Sequence, residues 1–181
     1  MILPIYTYGN AVLRKETEKI SSDYPDLKAL IDNMFETMHN AEGVGLAAPQ
    51  IGLPIRLLVI EVKKFDEENP EAEDFKIVMI NPEMLETSDE TETAEEGCLS
   101  IPGIHENVSR PKKIKIRHLD TDFNEHIKEF EDFHARVIQH EYDHLEGNLF
   151  TDKINPLRRQ LLKSKLSNIA KGKASAKYRI K

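Results

Sequence analysis

The residues His140-Glu141-Tyr142-Asp143-His144 carry the pattern H-E-x-x-H. On a helix of 3.6 residues per turn the two histidines stand one above the other, with Glu141 beside them. Two imidazoles so placed can hold one divalent metal ion, and the neighbouring carboxylate can take a proton from its water as general base. The chemistry is metal-assisted hydrolysis. The competing reading is a solvated helix whose histidines are accidental. Against it, Phe133 and Val137 precede His140 at helical spacing, so an apolar stripe runs into the histidines and turns them toward a core. Gly147 follows where a helix C-cap is needed. Buried imidazoles need partners, and a metal satisfies both.

A catalytic metal is commonly held by three protein ligands and keeps a fourth position for water. An extended form of the motif ends in a third histidine, but Phe150 occupies that position here. No glutamate follows Glu146 and the last acid is Asp152, so unless Asp152 serves, the third ligand lies upstream. Upstream stands the single cysteine, Cys98, within Glu95-Glu96-Gly97-Cys98-Leu99-Ser100-Ile101-Pro102-Gly103. A lone cysteine makes no internal disulfide, which fits a reducing compartment. By default it is a small buried hydrophobe. Beside a cation held by two histidines its thiolate is readily reached, and it becomes a candidate ligand.

Three segments in this order resemble the signature motifs of peptide deformylases: Gly43-Val44-Gly45-Leu46-Ala47-Ala48-Pro49-Gln50-Ile51-Gly52, then Glu96-Gly97-Cys98-Leu99-Ser100, then His140-Glu141-Tyr142-Asp143-His144-Leu145. The resemblance implies metal ligation by Cys98, His140 and His144, and removal of the formyl group from N-formylmethionine of nascent polypeptides. It implies iron(II) as the ion in the cell, with zinc, nickel or cobalt able to substitute; thiolate softness suits all of these and selects none. Glu141 is then general base and acid. Attack on the formyl carbon builds negative charge on its oxygen, which needs aimed donors. By resemblance these are the Gln50 side-chain amide and the Leu99 backbone N–H. Gly45 is expected to accept the formamide N–H of the substrate, and Val44, Leu99 and Val137 to line the methionine pocket, although each of the three also has a simple core explanation. A phosphate-loop reading of the glycine-rich segment fails because no Lys-Ser or Lys-Thr follows Gly52. Some relatives carry arginine seven residues after the metal-binding cysteine, where this chain has His105, which puts any contact made there in doubt. Arg110 is a basic residue in the same neighbourhood with a structural reading.

Two other functions share the central motif. A peptide-cleaving metalloprotease would use it but lacks a convincing downstream ligand. A non-enzymatic protein with a structural metal would have a closed four-ligand site and no use for Glu141.

The elements that must position these residues read as α+β, with antiparallel β-sheets packed around a central helix carrying the motif and a C-terminal helix. An amphipathic helix is expected from Pro25 to Glu42, with Leu27, Leu30, Ile31, Met34 and Met38 inward and Gly43 ending it. Strands are expected at Arg56 to Val62, Lys76 to Ile80 and Lys112 to His118. Residues 96 to 104, too polar for a core strand, are expected to run extended past the metal and pair with a peptide. The acidic linkers from Lys63 to Asp74 and from Glu86 to Glu96 read as hairpin tips.

The chain has 181 residues, 39% of them apolar, enough to bury a useful core. Residues 1–152 are expected to form a single catalytic domain, with 153–181 a basic C-terminal helix and tail, part of it or appended. All 32 acids lie in the first part, whereas the second holds ten of the 25 bases. Within it Leu157, Leu161, Leu162, Leu166 and Ile169 repeat at helical spacing. This predicts a helix docked on an acidic body with a frayed end, or a contact with RNA phosphates, for which the resemblance suggests the ribosome. No apolar run approaches the length of a membrane span and Met1-Ile2-Leu3-Pro4 begins no signal peptide, so the expected compartment is the cytoplasm, with no membrane or DNA partner.

Overall fold

The computed structural model describes residues 1–63 and 74–181. Helix α1 (Leu27–Asn40) buries Ile31, Met34, Phe35 and Met38. Its left-handed closing residue is Glu42, with φ 57°, and not Gly43. Gly43 is small for another reason: a Cβ there would stand 2.8 Å from the Leu99 side chain.

The fold is α+β. Strands β1 (Gly45–Ala47), β2 (Leu57–Val62), β3 (Phe75–Thr87), β6 (Lys113–Leu119) and β7 (Glu125–Glu131) form an antiparallel sheet in the order β1-β2-β3-β6-β7, while β4 (Thr91–Cys98) pairs with β5 (Ile101–Pro111). Helix α2 (Asp132–Leu145) carries the motif and touches both sheets, and α3 (Pro156–Ala170) packs on β5.

Several expectations about strands need correction. β3 continues past Ile80 because a bulge between Ile80 and Glu83 absorbs Asn81 and Pro82; proline is tolerated at such bulges. Only residues 88–90 of the expected 86–96 linker form a turn, and the rest belongs to β3 and β4. β5 extends to Pro111 with Ile104, Glu106, Val108 and Arg110 facing inward. Half of that inward face is charged, so the alternation that signals a half-buried strand is missing. β7 was not expected; it is a mostly exposed edge strand of charged residues, of the kind that discourages further pairing. The 63–74 linker, its two end residues apart, lies outside the described residues.

Three apolar clusters meet at the motif residues. Leu99 packs on the one around α1 and β1, Val137 belongs to the one between α2 and the large sheet, and Cys98 packs on the one beneath α3. α3 contributes Leu162, Leu166 and Ile169, while Leu157 and Leu161 are 68% and 66% exposed, so only part of the expected stripe is buried. The tail is not frayed: Ile180 bridges Ile5. No helix among the described residues is long and apolar enough to cross a membrane.

Candidate metal centre

Cys98 closes β4, immediately before the two-residue turn Leu99–Ser100 that leads into β5. His140 and His144 lie one turn apart on α2, whose end is set by Gly147 in the left-handed region at φ 72°. One ligand atom from each of Cys98, His140 and His144 falls within 4.8 Å of the other two, and Cys98 Sγ is 3.3 Å from His144 Nε2. Asp152 stands apart from this group, bound to Arg14 and accepting the Leu149 N–H at 2.9 Å. A thiolate and two imidazoles make a donor set for late first-row divalent ions. Glu141 Oε2, beside the cluster, is buried without a hydrogen-bond partner among the described residues. Native proteins leave few such atoms unless a ligand, ion or water meets them. The residues therefore fit a metal ion.

Glu96, two residues before Cys98, organises the layer behind the ligands. Its carboxylate accepts from His140 Nδ1 at 2.9 Å, from Arg110 Nε at 2.6 Å and from Arg136 Nη1 at 2.8 Å. The bond to His140 Nδ1 leaves Nε2 for the cluster, the usual arrangement behind a metal-binding histidine. Arg110 also donates to Asp143 at 2.8 Å, tying the hairpin to the motif helix a second time. Burial works against charge on Glu96, yet bonds from His140 and Arg110 outweigh it and hold the carboxyl well below the usual range. Burial also disfavours charge on both imidazoles. Cys98 and Glu96 beside His140 nevertheless hold its proton well above the ordinary range, while His144, buried and next to His140, is pushed well below it.

Glu141 is buried on the same helix, and burial pushes its carboxyl up to about 7. It lies over Gly45, where a Cβ would come 2.4 Å from Glu141 Oε1. Gln50 sits in a short 3-10 turn, Ala48–Ile51, after β1. Its Oε1 accepts the Ala47 N–H at 2.8 Å, and this aims Nε2 at Cys98 Sγ, 3.6 Å away, and at Ser100 Oγ, 3.3 Å away. Leu99 presents its carbonyl to the Tyr178 hydroxyl at 2.7 Å. Burial, with Cys98 nearby, pushes that phenol up to about 12.

The sequence model of the polypeptide deformylase family matches residues 2–160. The chain belongs to the polypeptide deformylase family. Deformylases of this family are metal-dependent enzymes that remove the formyl group from the N-terminal methionine of nascent peptides. The chain is 50% identical over 188 residues to a peptide deformylase of Christiangramia forsetii, covering 100% of this chain and 96% of that one. Among solved structures it resembles peptide deformylase 1B of Arabidopsis thaliana in complex with an inhibitor, at TM-score 0.83 and 35% identity over 94% of this chain and 91% of that one. It also resembles the Met-Ala-Ser-bound deformylase of Acinetobacter baumannii, at TM-score 0.81 and 35% identity over 85% and 99% of the two chains.

Within this deformylase fold Val44 and Val137 pack in the same apolar cluster, and Leu99 packs in another. His105 is exposed on β5 opposite Gly97, where a Cβ would stand 2.7 Å from the imidazole. Sequence reasoning left Arg110 structural and passed over Glu96, Arg136 and Tyr178. One signal was available for Arg136, which lies four residues before His140 on the same helical face. None pointed to Tyr178.

Proposed function

We propose that this chain deformylates N-terminal formylmethionine, with Cys98, His140 and His144 holding the cation and Glu141 moving the proton. The observation that carries the reading is the convergence of one sulfur and two ring nitrogens within 4.8 Å beside the buried carboxylate of Glu141. The cation, when bound, supplies Lewis acidity and lowers the pKa of a coordinated water toward about 7.

Glu141, desolvated and raised toward neutral pH, takes a proton from the attacking water and later delivers it to the leaving amine, so that formate and a free methionine amine result. Gln50 Nε2–H and the Leu99 N–H donate to the oxyanion as it develops. The preset orientation of Gln50 by Ala47 supports its part, since a donor held in place needs no reorganisation during reaction. The Gly45 carbonyl accepts the formamide N–H, and Val44, Leu99 and Val137 receive the methionine side chain while the peptide runs along the β4–β5 hairpin. The Met-Ala-Ser peptide on the Acinetobacter enzyme supports a methionine-first substrate.

The ion is iron(II) in the cell, with zinc, nickel or cobalt able to take its place. Residues 1–152 are the catalytic domain and 153–181 its basic helix and tail, whose exposed lysines contact the ribosome in the cytoplasm. Recovery of the protein from cells in the membrane fraction would contradict that location.

Protein prepared without oxygen should contain about one iron per chain and release formate from formyl-Met-Ala, leaving unformylated Met-Ala-Ser intact. Glu141→Gln should keep the metal and lose about 10³-fold in kcat, within the usual range for general acid–base catalysis. A variant that turned over normally would remove Glu141 from the mechanism.

A further inference from the structure

The segment after α3 returns to the reacting centre. Gly172, in the left-handed region at φ 68°, ends the helix. Beyond it the chain lies against residues 5–7. Ile5 N–H donates to Arg179 O at 2.9 Å, Lys181 N–H to Ile5 O at 2.8 Å, and Thr7 N–H to Lys181 O at 3.0 Å. This seats Tyr178 on the α1 cluster, with its hydroxyl on the Leu99 carbonyl at 2.7 Å. The next carbonyl of the same turn, Ser100, accepts the Tyr8 N–H at 2.8 Å. Both carbonyls of the Leu99–Ser100 turn are therefore held by two outer segments that are themselves paired.

We propose that Tyr178 is a positioning residue for deformylation, holding the Leu99 carbonyl so that the Leu99 N–H one peptide earlier points at the developing oxyanion. This rests on the proposed role of Leu99. With Cys98 on one side and Tyr178 on the other, the intervening N–H loses its freedom to swing. A backbone donor contributes to rate only through such alignment. Removing an oxyanion donor outright costs about 10²–10³ in kcat, so loosening one while leaving it in place should cost about tenfold.

Tyr178→Phe removes only the hydroxyl and keeps the ring in the cluster. In the metal-loaded full chain we expect kcat for formyl-Met-Ala to fall about tenfold with KM and metal content unchanged. In the zinc-loaded protein, the Leu99 and Ser100 amide resonances should shift and exchange faster with solvent. A tail anchor and nothing more would lower Tm while leaving kcat and these amides alone, and that result overturns the proposal. If the amides move but kcat holds, positioning is refuted while the deformylase reading stands. If the unsubstituted protein releases no formate, both fall together.

Discussion

A methyl group on Gly45 would meet Glu141 Oε1 at 2.4 Å and Glu141 Cγ at 2.8 Å. The glycine of the first motif thus makes room for the chain's own carboxylate, a reason separate from close approach of a substrate. What must yield on substitution is a side chain rather than backbone, so Gly45→Ala should leave Tm within a few degrees while displacing the base. We expect kcat to drop by about 10² or more, the scale on which a misplaced catalytic group is felt. Metal content should be unchanged. A Gly45→Ala enzyme within twofold of normal kcat would show that the crowding at Glu141 has no functional weight. The residue types of the centre could be read from H-E-x-x-H and one cysteine, but the crowding of Gly45 by Glu141 could not, since nearly a hundred residues separate them.

Between elements, Glu96 joins the β4–β5 hairpin to α2 through Arg136 and His140, and Arg110 adds the bond to Asp143. Two buried guanidinium groups pair with the Glu96 carboxylate, Arg110 sharing itself with Asp143 and Arg136 also donating to the Val108 and Glu92 carbonyls. Removing one partner of a buried charge network typically costs about 3–5 kcal/mol, because the remaining charges stay desolvated and unpaired. Loss of a carboxylate behind a metal-binding histidine commonly weakens metal binding by about 10–100-fold. Glu96→Gln should therefore lower Tm clearly and raise the metal dissociation constant by that factor, as measured by competition with a chelator. Metal affinity equal to the parent would mean that Glu96 supports the fold alone. Buried charges of this kind explain why the hairpin was illegible as strands. Its inward positions hold Glu96, Glu106 and Arg110, and a search for alternating apolar residues does not find a face built from paired charges.

At the scale of the whole molecule, the charge asymmetry of the chain is partly consumed within it. Arg158 bonds Glu106 at 2.6 Å and Arg159 reaches Asp152 at 3.3 Å, whereas Lys163 and Lys165 stay exposed, Lys165 one helical turn from the open Leu161. Truncation is a poor probe of ribosome contact, because α3 buries core residues and the tail reaches Leu99. Charge reversal at Lys163 and Lys165 is cleaner. The parent protein should cosediment with ribosomes at low salt and release as salt rises, the slope reporting the phosphates neutralised. The double reversal should flatten that slope with formyl-Met-Ala turnover intact; unchanged cosedimentation would dismiss the contact. From the sequence alone came the chemistry of the centre, the α1 and α2 periodicities and the α+β class, since helical spacing and side-chain type are local properties. Tertiary structure alone decided that Glu96 supports His140, that Glu141 crowds Gly45, and that Tyr178 closes on Leu99. Each of these depends on where distant backbone segments cross, and no local pattern of residues encodes such a crossing.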